Sequence, residues 1–574
     1  VKLLNSPGRS LRGRPGLVAI LLLGLGWGLM IHTTGWAQSS HYAQTRALAA
    51  GRAEIDTWHW EGKDKAWIDG HFYSVKAPGL AIASLPAFEL TDSGAVRDRA
   101  AAAAANARRT PEPRWTSRAI DPYADHGFNQ ARAETIGRTI ENYTPMIWVL
   151  ALSTSVLPAL ALLLLVRWIA DRLVPGYGTL AAITLGLATI LMSFASIYTA
   201  HALAATLAFA AFALLFRERE DPAQHLLWVG LAGLLAGFAV TTEYPAGIAG
   251  AVLFFYALGG DRRLPRGSAY ALGAVVGALP ALIYNAWALG SPLDFAYSAA
   301  VATQGLSGHA EVGLNSDGFF GISFPRVSSI GDLLFASRGL LVATPVIGAA
   351  IAGLTLMGGK RSAELRVIVA IAAAYFIYNS GYWLPFGGGT PGPRFLIVAL
   401  PFVAIGLAYA YRRWPAVSLG LALPSAVIML VASLTFPLIG ENGTGTWVER
   451  IFDEELEHTV LTALGVSNPF LAVLPVLAAV GLAVAVALRS APRISIGEVR
   501  WAIRIVAGWM LLATLAPTVV GDPTTPLQKP AILILVWGSG AAAIGTLAWL
   551  RYRELAPGRA AISSLEPATG ESIS

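Results

Sequence analysis

The first place in this chain where side chains could do chemistry is Asp69-Gly-His-Phe-Tyr-Ser-Val-Lys-Ala-Pro-Gly79, within a stretch that also holds His41, Glu54, Asp56, His59, Glu61, Lys63, Asp64 and Lys65. Ionisable groups this dense, just after a first apolar run, suit proton and charge handling at a membrane surface. A carboxylate here can take a proton from an incoming hydroxyl, and partial shielding tunes its pKa to that task. Lys76 lies between Tyr73 and Pro78-Gly79, at the edge of the apolar run Leu80–Leu90. A lysine is a compact cation on a flexible stem that can snorkel to headgroup depth, where the natural anion is a lipid phosphate. Neutralising the charge that grows on a departing phosphate is the electrostatic stabilisation that dominates much transfer chemistry. The competing reading of Lys76 is a simple interface anchor, and of the carboxylates, solvated loop charges.

Further along, ionisable residues stand where apolar stretches end. His201 follows Tyr198, and Glu243-Tyr-Pro245 interrupts a long hydrophobic run. Groups of this kind in spans usually face protein or water. Arg338 follows Ser337 at the entrance of another run, and Arg394 ends Gly387-Gly-Gly-Thr-Pro-Gly-Pro-Arg394, whose glycines permit close backbone approach. Both arginines are candidate anion binders. There is no metal-ligand spacing, no nucleotide-cradling glycine loop and no serine-nucleophile elbow. With no cysteine in the chain, disulfides and thiolate chemistry are excluded.

The elements that must position these residues are membrane helices. The chain is 55% hydrophobic and 13% charged, with a mean hydropathy of +0.57, against about a quarter charged residues in a soluble domain. Apolar runs long enough to cross a bilayer recur roughly at 16–37, 146–167, 178–196, 200–216, 225–241, 244–259, 268–288, 339–357, 365–384, 395–411, 416–438, 470–489, 501–519 and 530–550, predicting an all-α polytopic membrane protein of about fourteen transmembrane helices. Alternate junctions carry the basic residues, among them Arg217/Arg219, Arg262/Arg263/Arg266 and Arg412/Arg413. By the positive-inside rule both termini are then cytoplasmic. The net charge of +6 is thus a topology signal, with no basic stripe interleaved with stacking aromatics to suggest nucleic acid. The expected organisation is a cytoplasmic N-terminus with a retained first helix (1–37), a large extracytoplasmic loop (38–145), a membrane core with outer loops (146–438), a last outer loop with three further helices (439–550), and a disordered cytoplasmic tail (551–574). Within the large loop, Arg97–Arg118, which includes Ala100–Ala105, reads as a helical insertion or tether and Asp121–Asn142 as an amphipathic helix.

The block from Asp69 to Gly79, with Ile55-Asp56 and Gly62-Lys-Asp-Lys65 before it, resembles the first-loop motif of bacterial polytopic glycosyltransferases of the GT-C superfamily, relatives of protein O-mannosyltransferases and lipid A aminoarabinose transferases. Ser337-Arg-Gly-Leu-Leu341, Tyr378-Asn379, Gly387–Phe395 and Pro401-Phe402 resemble recurrent motifs of the same group. The resemblance implies a GT-C-type helical bundle with its active site at the outer surface of the bacterial cytoplasmic membrane. It implies a polyprenyl-phosphate-linked sugar as donor, transferred with inversion to an extracytoplasmic glycan, lipid or protein. It places Lys76 on the lipid phosphate and makes a first-loop aspartate the base: Asp56 or Asp64, with Asp69 third. His71 and Tyr73 lie inside the motif, and His201, Glu243, Arg338 and Arg394 complete the expected substrate-binding set. No cofactor is demanded, although carboxylates suffice to hold Mg or Mn. Relatives often carry an acidic residue where this chain has Gln38-Ser-Ser-His41, and Asp where it has Val75. The alternatives are a lipid-linked glycan flippase or transporter and a non-catalytic GT-C-like membrane protein.

Overall fold

A bilayer core offers no water to backbone polar groups, so a chain this apolar must satisfy them within helices. The computed structural model does so; it describes residues 15–107, 130–221, 225–259, 262–300, 321–435, 437–438, 443–489, 491, 494–522 and 525–563. The helices up to residue 289 are α1 (Pro15–Gly28), α2 (Trp36–Ala49), α3 (Gly79–Thr91), α4 (Gly94–Ala107), α5 (Gln130–Ala151), α6 (Leu157–Leu173), α7 (Gly178–Leu187), α8 (Leu191–Phe194), α9 (Ala200–Glu220), α10 (Leu226–Thr242), α11 (Gly247–Ala257) and α12 (Arg263–Leu289). A π-helical turn, Leu152–Val156, joins α5 to α6. Of the expected amphipathic helix, residues 121–129 lie outside the described residues and Gln130–Asn142 forms the start of α5.

The chain is a multi-pass membrane protein, but the expected count of fourteen is not reached by length and composition. Among the described residues eight helices are long and apolar enough to cross a bilayer, and Val327–Ala343 with Val346–Leu354, bent by 92°, makes a ninth if taken as one span. Four other expected spans are shorter apolar helices: Pro15–Gly28, Gly178–Leu187, Leu226–Thr242 and Tyr244–Ala257. The run 395–411 divides into a 3-10 segment, Arg394–Val398, and the helix Leu400–Arg413. The breaks have local causes. Thr344 precedes Pro345, and a residue before proline is pushed out of the helical region. In the run 178–196 the Thr189 hydroxyl donates to Leu185 O and accepts from Leu191 N, offering the backbone an alternative to the helical ladder. At the other end of the chain, the last helix continues to Ser563, beyond Arg551 where the tail was expected to begin; residues 564–574 lie outside the described residues.

The all-α expectation also needs a supplement of two antiparallel ladders. β1 (Met30–Ile31) pairs with β4 (His458–Thr459), and β2 (Lys65–Ile68) with β3 (His71–Ser74). Thr33 reinforces the first by donating its N–H (2.9 Å) and hydroxyl (3.1 Å) to Glu457 Oε2. The segment Glu457–Thr459 is thereby clipped to the exit of α1.

Two features fix the bundle around α10. Glycines at three- and four-residue spacing on α10 (Gly230, Gly233, Gly237) face Gly273 and Gly277 of α12. A Cβ at Gly233 would lie 2.0 Å from Tyr270 O, at Gly237 2.0 Å from Ala274 O, and at Gly277 2.1 Å from Leu234 O. Membrane helices gain by such close approach because lipid supplies no hydrophobic drive between them. The second feature is an ion pair between Glu218, near the end of α9, and Arg266, near the start of α12, with side chains 0% and 2% exposed. Substituting valine at Gly237 or Gly277 should force the two backbones apart, costing about 1–3 kcal/mol as overpacking does. The check is thermal unfolding of the purified protein in detergent; an unchanged melting temperature would show that the crossing is not this tight.

Candidate active site

The motif begins as a hairpin. Asp69 and Gly70 take φ values of +49° and +88°, the two left-handed central positions that a two-residue type I′ turn requires. Asp69 is thus explained by its turn and is exposed. Asp56 lies alongside, where its carboxylate accepts from Phe72 N at 2.6 Å and contacts His71 Nδ1 at 2.7 Å. That contact pushes the exposed His71 imidazole up. Tyr73 stands opposite Ala66 in the ladder and packs against Ala53 and Tyr284. The expected residues Asp56, Asp69 and His71 therefore hold one another or the hairpin.

The other part of the motif turns inward. Lys76 Nζ lies 2.6 Å from Asp64 Oδ2, with side chains 19% and 11% exposed. Hydrogen bonds connect the same two residues through the backbone: Lys76 N donates to Ser74 Oγ (3.1 Å), which lies 2.7 Å from Ser40 Oγ, which donates to Asp64 O (2.6 Å). Gln44, one helical turn after Ser40 on α2, donates to Lys76 O at 3.3 Å. The motif then ends in Gly79, the first residue of α3, where a Cβ would lie 2.6 Å from the carbonyl of Thr241 at the end of α10. A larger residue here would displace α3 from α10.

Across from this pair, α10 hands over to Glu243, whose carboxylate contacts His201 Nδ1 of α9 at 2.8–2.9 Å. Between the two pairs lies His41 of α2, 4% exposed and edge-on to the Tyr198 ring at 6.1 Å. Tyr198 is fixed by Thr45 (3.0 Å) and Ser84 (2.8 Å). Burial pushes the His41 imidazole well below its usual 6.5, the positive fields of Lys76 and His201 push the same way, and Asp64 opposes them. The ring is neutral at pH 7 in the folded protein, whereas the unfolded chain takes up the proton near pH 6.5. Its contribution to stability is therefore complete above that pH and is lost as pH falls below 6.5 toward the folded value. The melting temperature should drop between pH 7 and pH 5, with a slope from this group of at most about 1.4 kcal/mol per pH unit. His41→Asn should flatten that slope; an identical slope in the variant would overturn the assignment.

The two expected arginines differ. Arg338 donates to the carbonyls of Gly388 and Thr390, each at 3.0 Å, and covers the Phe386 ring at 4.6 Å. It ties down the loop that carries Arg394. Arg394 lies over Phe395 at 5.1 Å, and its buried Nε has no hydrogen-bond partner among the described residues. Gly387, at φ +77°, leaves it room, since a Cβ there would lie 2.6 Å from that Nε. Phe395 joins this loop to the rest: its ring meets His201 edge-on at 6.0 Å, as well as Tyr378 and Tyr382.

Among the described residues no group of three or more His, Asp or Glu side chains is arranged to hold a metal. The fold thus draws together Asp64, Lys76, His201 and Glu243 of the expected residues, with Arg394 linked through Phe395. It adds Ser40, His41, Gln44 and Tyr198, which sequence reasoning did not select. For the three on α2 the one signal was the polar run Gln38–Arg46, too polar for a span and yet almost wholly buried as a helix.

No family model matches this chain, and no curated protein sequence matches it. Among solved structures it is similar to the crystal structure of ArnT from Cupriavidus metallidurans in the apo state, with 14% sequence identity and a TM-score of 0.40, over 86% of this chain and 78% of that one. It is similar also to ArnT from Cupriavidus metallidurans bound to undecaprenyl phosphate, with the same identity and TM-score, over 90% of this chain and 83% of that one.

Proposed function

We propose that the protein is a membrane glycosyltransferase that moves a sugar from a polyprenyl-phosphate donor to a hydroxyl acceptor on the outer side of a bacterial cytoplasmic membrane. The observation that carries this reading is the Lys76–Asp64 pair, a nearly buried cation held on a short rigid segment between the hairpin and α3. An ammonium in that setting exchanges one oxyanion for another at little reorganisation. When the donor phosphate arrives, Lys76 passes from Asp64 to a phosphate oxygen and neutralises the charge that accumulates as the sugar–phosphate bond breaks. The acceptor oxygen attacks the anomeric carbon from the opposite side, so a single displacement inverts the configuration. A base of the first outer segment takes the hydroxyl proton. His201–Glu243 would line the far wall, and Arg394, whose Nε has no hydrogen-bond partner among the described residues, would add a second contact to an anionic substrate.

The test is transfer by the purified full chain in liposomes, supplied with a panel of polyprenyl-phosphate sugars and crude envelope acceptors. Glycosylated product is the expected result. Donor binding followed by counterflow across the vesicle, without product from any donor, would replace this reading with that of a transporter.

A further inference from the structure

We infer that His41 is the general base of this transfer, an inference that rests on the glycosyltransferase reading. Of the three first-loop aspartates, two are engaged by other groups and the third lies in an exposed turn. Asp56 is tied to Phe72 N and His71 on the flank of the hairpin, and Asp69 sits exposed in its turn. Asp64 already holds an ammonium at 2.6 Å. A general base works best with a lone pair that faces the site and is not already engaged by another donor.

His41 meets that condition. Its Nδ1 is buried without a hydrogen-bond partner among the described residues. Nearly every buried polar group in a folded protein is satisfied, and one left open calls for an explanation. On the same helix Ser40, Thr45 and Arg46 are bonded, while Gln38 Nε2 and Gln44 Oε1 are also open among the described residues; of the three open groups only the imidazole can take a proton near neutral pH. The charged and titratable groups around the ring come from three directions: Lys76 and Asp64 from the segments flanking the hairpin, His201 from α9 with Glu243 behind it, and the engaged Tyr198 hydroxyl. The ring is thus placed between the cation that would hold the donor phosphate and the wall formed by His201 and Glu243. Burial keeps it neutral near pH 7, which is the form a base needs.

The step balances without any further reactant. The acceptor oxygen forms its bond to the anomeric carbon while the bond from that carbon to the phosphate oxygen breaks, its electron pair leaving with the phosphate. The hydroxyl proton passes to a ring nitrogen of His41. Asp64, released when Lys76 turns to the phosphate, then faces the new imidazolium and offsets its charge. The proton is returned to water or to the departing phosphate when the products leave.

The experiment compares wild type, His41→Gln, His41→Gly, Asp64→Asn and Lys76→Ala as full-length protein in liposomes, reading binding of radiolabelled polyprenyl phosphate and transfer separately. His41→Gln is expected to bind polyprenyl phosphate as wild type does and to lose transfer by roughly 100- to 10,000-fold, the usual worth of a positioned base. Lys76→Ala should lose the binding itself. In His41→Gly, added imidazoles should restore transfer, with rates that rise with the pKa of the imidazole supplied, a dependence that mere refilling of a cavity would not produce. If His41→Gln keeps more than about a tenth of wild-type transfer, well short of a base's usual contribution, the inference is overturned while the glycosyltransferase stands. Loss of transfer in His41→Gly that no imidazole restores, in protein that still binds polyprenyl phosphate, overturns it equally. If wild type binds polyprenyl phosphate but transfers from no donor, the glycosyltransferase reading fails first and this inference with it.

Discussion

Lys76→Ala should reduce transfer by roughly 100- to 1000-fold, the usual penalty for deleting one preorganised group that meets developing negative charge. The loss should be visible both in binding of polyprenyl phosphate and in turnover, because in the proposed reaction the ammonium meets the phosphate before and during bond breaking. Removing Lys76 also leaves the Asp64 carboxylate, 11% exposed, without its cation. An anionic substrate would then meet a like charge in place of an opposite one, and the deficit should deepen at low ionic strength, where charges are least screened. Asp64→Asn in the Lys76→Ala background removes that repulsion and should recover part of the binding but little of the turnover. Transfer by Lys76→Ala within a factor of a few of wild type would move the phosphate contact elsewhere, with Arg394 the next residue to test.

The largest effect on stability is expected at the opposite end of the bundle. Glu218 and Arg266 are enclosed on all sides, and Arg266 Nε additionally donates to Ala257 O at 2.8 Å, so three helices share one cation. Breaking a buried pair by deleting one partner costs about 3–5 kcal/mol, because the other charge remains in a low-dielectric setting. Arg266→Met should therefore unfold the protein at a markedly lower temperature or denaturant concentration. Glu218→Gln combined with Arg266→Met should recover most of the loss, since two neutral side chains of similar volume are often no less stable than the pair they replace. Melting of the single and double variants in one detergent decides this. A double variant as unstable as the single would show that packing around Arg266, and not its charge, is what matters.

Much of this arrangement was legible in the residues alone, and the part that was not has a physical cause. Lys76 stood out because a cation between aromatics and a Pro-Gly turn is costly at a membrane edge without an anion. His201 stood out because it opens a span and Glu243 because it breaks an apolar run, yet their mutual contact depends on two helices whose relevant ends are 42 positions apart. The sequence put Asp69 third but left Asp56 and Asp64 level. What separates them is the hairpin, which claims Asp56 and Asp69 and leaves Asp64 facing inward. His41 was only one more ionisable residue in a crowded loop, and its isolation arises when Tyr198, 157 residues further on, closes over α2. The span count suffered for a related reason. Hydropathy reads composition and not continuity, so a threonine that bonds its own backbone at 189, or a proline at 345, divides a run that still looks long enough to cross.

The contact between Gly79 and Thr241 has a consequence for anyone who would rebuild this protein. The segment carrying Lys76 is not a portable cassette. Its last residue rests on the backbone of α10, and α10 is locked in turn to α12 through facing glycines. A chimera that grafts residues 38–90 onto a foreign bundle would deliver the lysine without the surface that sets its height. Such a graft should hold Lys76 at its native height only if residues 226–289 travel with it, so the smallest unit that keeps the lysine in place is a loop together with the three helices beneath it.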